Sequence, residues 1–514
     1  MKKNNMKISS VIDIGSNEIR LKIAQNVKGK FSLLESLSYP ISLGRDTFNN
    51  EKISFEKADK VCEILKNYSQ VSKEYGCDKI RVIATSAVRE ANNKDYILDQ
   101  LRIKTGMNVE VIDNLDEKYY IYRLMLKSLP KEIIQSAMMA YIGSGNLGVS
   151  IVENEKIPLI QNIKIGSLRL SELFEDIQDY SREFYLVVEE YVETFTGEIS
   201  EILTVAPKHF VASGNEIAII SELCNAEEKN GLHYIHKNIF DALYNNIKSK
   251  TVDTIMNEYN ISNEQAELLL PAMSIFNTLL KFSEADTIIA PVYSQLMDSI
   301  LFEMLYPEES AKLNKSFYKN TALSSRVYAQ KFGCDKEHYK RVEKFAFNIF
   351  DRIKKIHGLS SKERILLQAA AILHDCGKIV SIRAHYKNSY NIIRSVDIVG
   401  LNVRDLEIVA CISYYHSRLV PSLNDSVYMS LSEADRVIVS KLASILRIAD
   451  ALDRSHTQKF DDIEVKLEND LLVISIATEK NIDLEEWAFK EKGMFFEEVF
   501  GIKAKLKKKK VNRT

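Results

Sequence analysis

Along the first 130 residues, short apolar runs alternate with amphipathic stretches. β-Branched residues dominate 9–14 and 19–24, on either side of Gly15-Ser16-Asn17, and predict a hairpin. Apolar positions 61, 64, 65 and 68 fall at helical spacing within 53–74. A buried strand over 80–85, a helix over 95–105, a strand over 109–112 and a helix over 115–127 complete a first α/β unit. The pattern then restarts. Segments 138–142 and 149–153 flank Gly143-Ser144-Gly145-Asn146 as a second hairpin, followed by helices over 168–174 and 182–194 and a strand over 209–212. Two halves that each open on a hairpin around a Gly/Ser turn predict an internally duplicated α/β fold, with lobes over 1–130 and 131–308. From about residue 310 helical periods take over, at 339–356, 362–375, 403–414 and 433–452, and predict an all-α domain over 309–460. Strands over 463–467 and 471–476 and a helix from about 484 predict a small α+β segment over 461–514.

Composition narrows the class. With 46% hydrophobic and 27% charged residues, the 514-residue chain is no disordered or low-complexity scaffold. Lys+Arg 69 against Asp+Glu 71 leaves no global basic field, so nucleic acid is not an expected partner. The six cysteines are scattered without a CxxC pair, as for buried thiols in a reducing compartment. No segment reaches the roughly 18 apolar residues of a transmembrane helix, and no apolar leader precedes Asp13. The expectation is a cytoplasmic protein without a membrane partner. The basic end KAKLKKKKVNRT reads as a solvated, frayed terminus or as a contact for a polyanion.

Three segments carry candidate chemistry. Gly15 permits a tight turn after Asp13, where backbone amides and the Ser16 hydroxyl can wrap a phosphate oxygen; an ordinary hairpin turn has the same pattern. The run Ala84-Thr85-Ser86-Ala87-Val88-Arg89-Glu90-Ala91-Asn92 sets hydroxyls at a strand end and a guanidinium one turn into the next helix. That group suits bidentate phosphate recognition, or is a surface arginine. His374-Asp375 ends a long apolar helix; an adjacent imidazole and carboxylate are good ligands for a divalent metal, or a structural pair.

In order and spacing, VIDIGSNEIRLKIA, Leu43-Gly44, ATSAVREANN, VIDNLDEKYYIY, YIGSGNLGVSIV, IGSLRL and ASGN resemble the exopolyphosphatase/guanosine pentaphosphate phosphatase (Ppx/GppA) family. The resemblance implies two actin-like, ribonuclease H-like lobes. Asp13, Gly15, Ser16 and Asn17 would form a first phosphate loop and Gly143, Ser144, Gly145 and Asn146 a second. Arg89 would grip a substrate phosphate, and Asp116 or Glu117 would be the base that activates water. In the helical half, His338, His374, Asp375 and Asp450 are similar in order to the H…HD…D set of the HD phosphohydrolases, which implies a divalent metal held by these four. Lys378, Lys387, His416, Arg447, Asp453 and His456 would line a phosphate pocket around them.

The departures matter. Tyr141 and Gly148 stand where the family carries an Asp and a Glu that help hold metal. His385-Tyr386-Lys387-Asn388 stands where relatives carry further histidines, so a mononuclear helical-half site is expected. The resemblance implies a Mg²⁺- or Mn²⁺-dependent hydrolase that releases terminal phosphate from inorganic polyphosphate or guanosine polyphosphate. The alternatives are a metal-dependent HD phosphohydrolase and a non-catalytic polyphosphate-binding regulator. Long helices in the last third allow a homodimer.

Overall fold

A computed structural model describes residues 7–174, 184–202, 205–468 and 470–509. The chain separates into two units, Met1–Ser316 and Phe317–Thr514.

In the first unit the apolar run Ile8–Ile14 forms β1, buried at every position after the first. Burial on both faces suits a central strand. It pairs antiparallel with β2 (Glu18–Val27) and parallel with β4 (Lys79–Ala84). With β3 (Lys30–Pro40) and β5 (Val109–Val111) the sheet runs β3-β2-β1-β4-β5. The second sheet repeats this plan. Here β6 (Ser136–Ile142) is central, antiparallel to β7 (Leu147–Glu153) and parallel to β9 (His209–Gly214). β8 (Lys156–Ile163) lies outside β7, and β12 (Thr287–Pro291) follows β9 in parallel. β10 (Glu227–Lys229) and β11 (Leu232–His236) extend that edge, giving β10-β11-β12-β9-β6-β7-β8.

The duplication therefore runs deeper than the two hairpins expected from sequence. Each lobe carries a third antiparallel strand, β3 or β8, that the hydrophobic pattern did not reveal. Both are entered through a two-residue turn with positive φ at each position, Lys28-Gly29 and Asn154-Glu155. That geometry matches the twist of the flanking strands. The expected helix over 182–194 is observed as Phe184–Ile202, and 182–183 lie outside the described residues.

The second unit is built on the helices Lys319–Lys331, Lys336–Arg352, Ser361–Leu373, His385–Arg394, Val403–Tyr414 and Glu433–Ala451. Their starts are chemically specified. Asp335 accepts from Glu337 N and His338 N, while Ser360 with Glu363 and Asn402 with Asp405 form capping boxes. The helix Asp483–Phe500 packs against Glu433–Ala451. β13 (Ile463–Glu468), β14 (Leu471–Ala477) and β15 (Lys503–Lys509) form a three-stranded sheet.

β15 corrects the reading of the basic end as a frayed terminus. It pairs in parallel with β14 from Leu471↔Lys503 to Ala477↔Lys509. Ala504 and Leu506 turn partly inward while the lysines face out, which protects an edge strand from further pairing. Residues 510–514 lie outside the described part. Among the described residues, no helix is long and apolar enough to cross a membrane.

Candidate functional site

The first candidate site is the seam between the two lobes. Asp13 sits near the end of β1, opposite Arg20 in the register, and Arg20 Nη2 lies 2.8 Å from its Oδ2. Burial pushes the Asp13 carboxyl up, and Arg20 only partly offsets this. Arg20 Nη1 also donates to Asn215 Oδ1 of the second lobe at 2.7 Å. Gly15 is required by close approach, since a Cβ there would meet Glu18 O at 2.9 Å. Ser16 O and Asn17 O are occupied, accepting from Gly44 N at 2.6 Å and from Ile41 N and Ser42 N at 2.9 and 3.0 Å. In the second turn Gly143 N donates to Asn146 O at 2.8 Å, and Ser144 O accepts from Arg169 N at 3.0 Å. Gly145 packs on Ser86 and Phe48, and the Asn146 amide lies 2.9 Å from Ser86 Oγ. Ser86, one of the strand-end hydroxyls of the sequence reading, joins the second turn to Arg89 across the seam.

Arg89 and Glu117 lie at its centre. Arg89 donates to Ile112 O at 2.7 Å, to Ser86 Oγ at 3.0 Å and to Asn114 Oδ1, and lies 3.4 Å from Glu117 Oε2. Its planar fork is filled by protein acceptors, leaving the buried Nε without a partner. Of the two candidate bases, Glu117 is buried and Asp116 half-buried. Glu117 Oε1 accepts from Tyr141 OH at 3.1 Å. Burial pushes the Glu117 carboxyl up, but Lys118, Arg89 and the Tyr141 hydroxyl outweigh it and hold the group below its ordinary value.

The two departures in the second lobe are coupled to a third residue. Tyr141 and Gly148 face each other across β6 and β7, as Asp13 and Arg20 do across β1 and β2. A Cβ at 148 would meet Lys118 Cε and Tyr122 OH, each at 2.6 Å. Lys118 is fully buried; its Nζ lies 3.9 Å from Glu117 Oε1 and 4.1 Å from the Tyr141 ring centroid. The missing side chain at 148 is the room that Lys118 fills. Sequence reasoning missed Lys118, although it shares a helix stripe with the buried residues Ile121, Tyr122 and Met125. Among the described residues, no group of three His, Cys, Asp or Glu able to hold a metal lies in this unit. The seam does not fit a divalent ion: its carboxylates Asp13 and Glu117 are already matched by Arg20, Arg89 and Lys118. Glu216, also missed, is a buried carboxyl bonded by Ser167 Oγ at 2.7 Å, and burial pushes it up to about 7.

The second candidate site lies in the helical unit. His338 Nε2 is 3.3 Å from His374 Nε2, 3.2 Å from Asp450 Oδ1 and 3.8 Å from Asp375 Oδ2. His374 Nε2 is 3.5 Å from Asp375 Oδ2 and 3.6 Å from Asp450 Oδ1. All four residues are buried. The other ring nitrogens are committed: His338 Nδ1 to Asp453 Oδ2 at 2.9 Å and His374 Nδ1 to Ala371 O at 3.0 Å. With both Nδ1 atoms turned to these acceptors, the two Nε2 atoms face each other between Asp375 and Asp450, and the surrounding carboxylates push the His338 imidazole up to about 9. Two ring nitrogens converging between two carboxylates are a donor set that fits a divalent metal, which would take the place of the proton on His338.

The second oxygen of Asp375 faces another pair. His385 Nε2 and His416 Nε2 lie 3.3 and 3.7 Å from Asp375 Oδ1 and 3.1 Å from each other. Their Nδ1 atoms are turned to Ile382 O and Ser413 O. His416, distant in sequence, supplies an imidazole where the segment after His385 lacks one.

The remaining pocket residues divide. Lys378 pairs with Asp375 at 2.5 Å, and His456 stacks on His338 with ring centroids 3.6 Å apart. Arg447 instead clamps backbone, donating to Tyr415 O, Ser417 O and Leu419 O, and Lys387 is exposed. Lys492, which sequence reasoning missed, reaches Asp450 from the helix Asp483–Phe500.

Comparison with known proteins follows the same division. Residues 22–302 match the Ppx/GppA phosphatase family, and residues 322–491 match Ppx/GppA phosphatase, domain III. The guanosine-5'-triphosphate,3'-diphosphate pyrophosphatase of Pseudoalteromonas translucida is 22% identical over 489 residues, covering 91% of this chain and 94% of that protein. The bifunctional 3-dehydroquinate synthase/phosphatase of Fusobacterium nucleatum is 24% identical over 315 residues, 58% of this chain; the chain spans about half, 47%, of that relative. The crystal structure of an exopolyphosphatase from Cytophaga hutchinsonii, at 20% identity, superposes with a TM-score of 0.53 over 58% of this chain and 98% of that one, which shows the actin-like fold. With the family's description spanning more than half of its residues, the chain belongs to the Ppx/GppA phosphatase family.

Proposed function

We propose that the protein is a phosphohydrolase that releases terminal phosphate from inorganic polyphosphate or a guanosine polyphosphate, with the lobe seam as the place where the phosphate chain is held. The observation that carries this reading is Glu117, buried and held ionised between Arg89, Lys118 and the Tyr141 hydroxyl, in the seam between the lobes. Water would attack the terminal phosphorus, its proton passing to Glu117, while the bridging P–O bond breaks. Arg89 and Lys118 neutralise the phosphoryl charge, so no step in the seam is routed through a metal.

One observation favours a second reading, in which turnover belongs to the helical unit. The converging Nε2 atoms and carboxylates of His338, His374, Asp375 and Asp450 would hold Mg²⁺ or Mn²⁺, which when bound supplies a water of lowered pKa. Asp453 and the Ala371 carbonyl fix the two ring tautomers, and Lys378 and Lys492 steady the carboxylates. Phosphate release from polyphosphate and guanosine pentaphosphate, with either ion, separates the readings. Loss in Glu117→Gln alone assigns turnover to the seam, and loss in His374→Ala alone assigns it to the helical unit. A wild type that binds without releasing phosphate is the non-catalytic regulator.

A further inference from the structure

We infer that the helical unit carries a nucleotide-binding pocket, in which the base of a nucleoside di- or triphosphate stacks on Trp487 and its phosphates lie between three arginines and the acidic pair Asp375 and Asp450. A cavity of about 1010 Å³ opens beside the four-residue set, lined by Asp375 and Asp450 on one side and by the helix Asp483–Phe500 on another. That volume is far more than one phosphate needs and reaches the upper end of the range for small-molecule sites.

The lining has two chemistries. Arg383, Arg418 and Arg454 all reach the cavity, and among the described residues none of their side chains forms an ion pair or hydrogen bond. Two carboxylates, Glu491 and Glu498, also line it, while Lys378 and Lys492 cancel Asp375 and Asp450 in pairs. With Arg447 the balance stays positive, and unpaired guanidinium groups are the natural partners of phosphate oxygens.

The other chemistry is apolar. Leu484, Trp487 and Met494 fall on one stripe of their helix, at spacings of three and seven residues, yet are 45%, 60% and 61% exposed. The opposite stripe of that helix, with Phe489 and Phe496, is buried as an amphipathic helix requires. An apolar stripe left exposed over a cationic cavity suits a ligand with a flat apolar part and an anionic part. Trp487 is the chain's one tryptophan and supplies the largest flat face for a base. The inference rests on the second reading above only for the fate of the phosphate, not for the binding of the base.

Because Trp487 is the single tryptophan, intrinsic tryptophan fluorescence of the full chain reports on this pocket. Titration with ATP or GTP is expected to quench it saturably, with inorganic triphosphate competing but leaving the emission unchanged. By equilibrium dialysis, Trp487→Leu should weaken nucleotide binding about tenfold, in the range of a lost base stack, and leave triphosphate binding unaltered. Arg418→Ala and Arg454→Ala should weaken both ligands. Quenching that persists in chelated protein supports the pocket even where metal analysis rejects the four-ligand set. Absence of quenching in protein that carries its metal overturns the pocket and leaves that set standing. Equal affinity for guanosine and GTP, or a spectral shift with phosphatidylglycerol vesicles but none with nucleotide, also overturns it.

Discussion

The lobe seam and the helical-unit pocket are both built from buried carboxylates paired with cations, yet they differ in what stands beside those pairs. In the seam, each charge meets its counterpart within the protein: Arg20 on Asp13, and Arg89 with Lys118 on Glu117. In the helical unit, two imidazole Nε2 atoms converge between Asp375 and Asp450, and three arginines face a cavity without partners. A site whose charges are already matched needs no ion from solution and binds an anion only by exchanging internal contacts. A site with two converging imidazoles beside its carboxylates offers a divalent ion a ready set of ligands. The difference makes the helical unit the better candidate for a metal, although the family resemblance alone would have put one in the seam.

Four expected outcomes test that contrast. The largest concerns the seam: Glu117→Gln should lower phosphate release from polyphosphate by roughly 10²–10⁴-fold, the usual worth of a general base. Unchanged release would remove the seam from the chemistry. Next, metal analysis should show Mn²⁺ retained by wild type and by Glu117→Gln but lost from His374→Ala. Asp453→Asn, which acts on metal only through the His338 ring, should weaken retention by about 10–100-fold. Equal metal in all four proteins would break the comparison from the other side.

Smaller effects sharpen it. Gly148→Glu, which puts back a family carboxylate, should destabilise the fold by about 1–3 kcal/mol, because the new side chain and Lys118 claim one space. The double variant with Lys118→Ala should recover most of that in denaturant unfolding. Destabilisation that is the same in both backgrounds would show that Lys118 does not fill the position.

The last is a pH effect from Glu216. Below its ordinary value of 4.5 this carboxyl is protonated in the folded and unfolded chain alike; between 4.5 and about 7 only the folded chain keeps the proton. Stability should therefore fall as pH rises through that window, by at most about 1.4 kcal/mol per pH unit. Glu216→Gln should remove that component. An unchanged slope would mean that Glu216 is ionised in the fold.

What the sequence determined by itself was whatever is local or periodic. The β-branched runs around Gly15 and Gly143 located both central hairpins, and 3.6-residue periods located the helix that bears Asp450 and those that start beside His338 and end at His374. Motif order carried the family, now shown over residues 22–302. Edge strands were less legible. β3 mixes Ser, Glu and Leu on a half-exposed surface, and β15 hides its pairing under lysines. Only the tertiary structure decided which charges meet. Lys118, on a helix, reveals its role through Gly148 on β7. Lys492 reaches Asp450 across 42 positions, and His416 completes a cluster with His385 and Asp375. Periodicity follows from the geometry of one element, so a sequence can display it. The partner of a buried charge depends on which elements pack together, and that is fixed only when the whole chain closes around it.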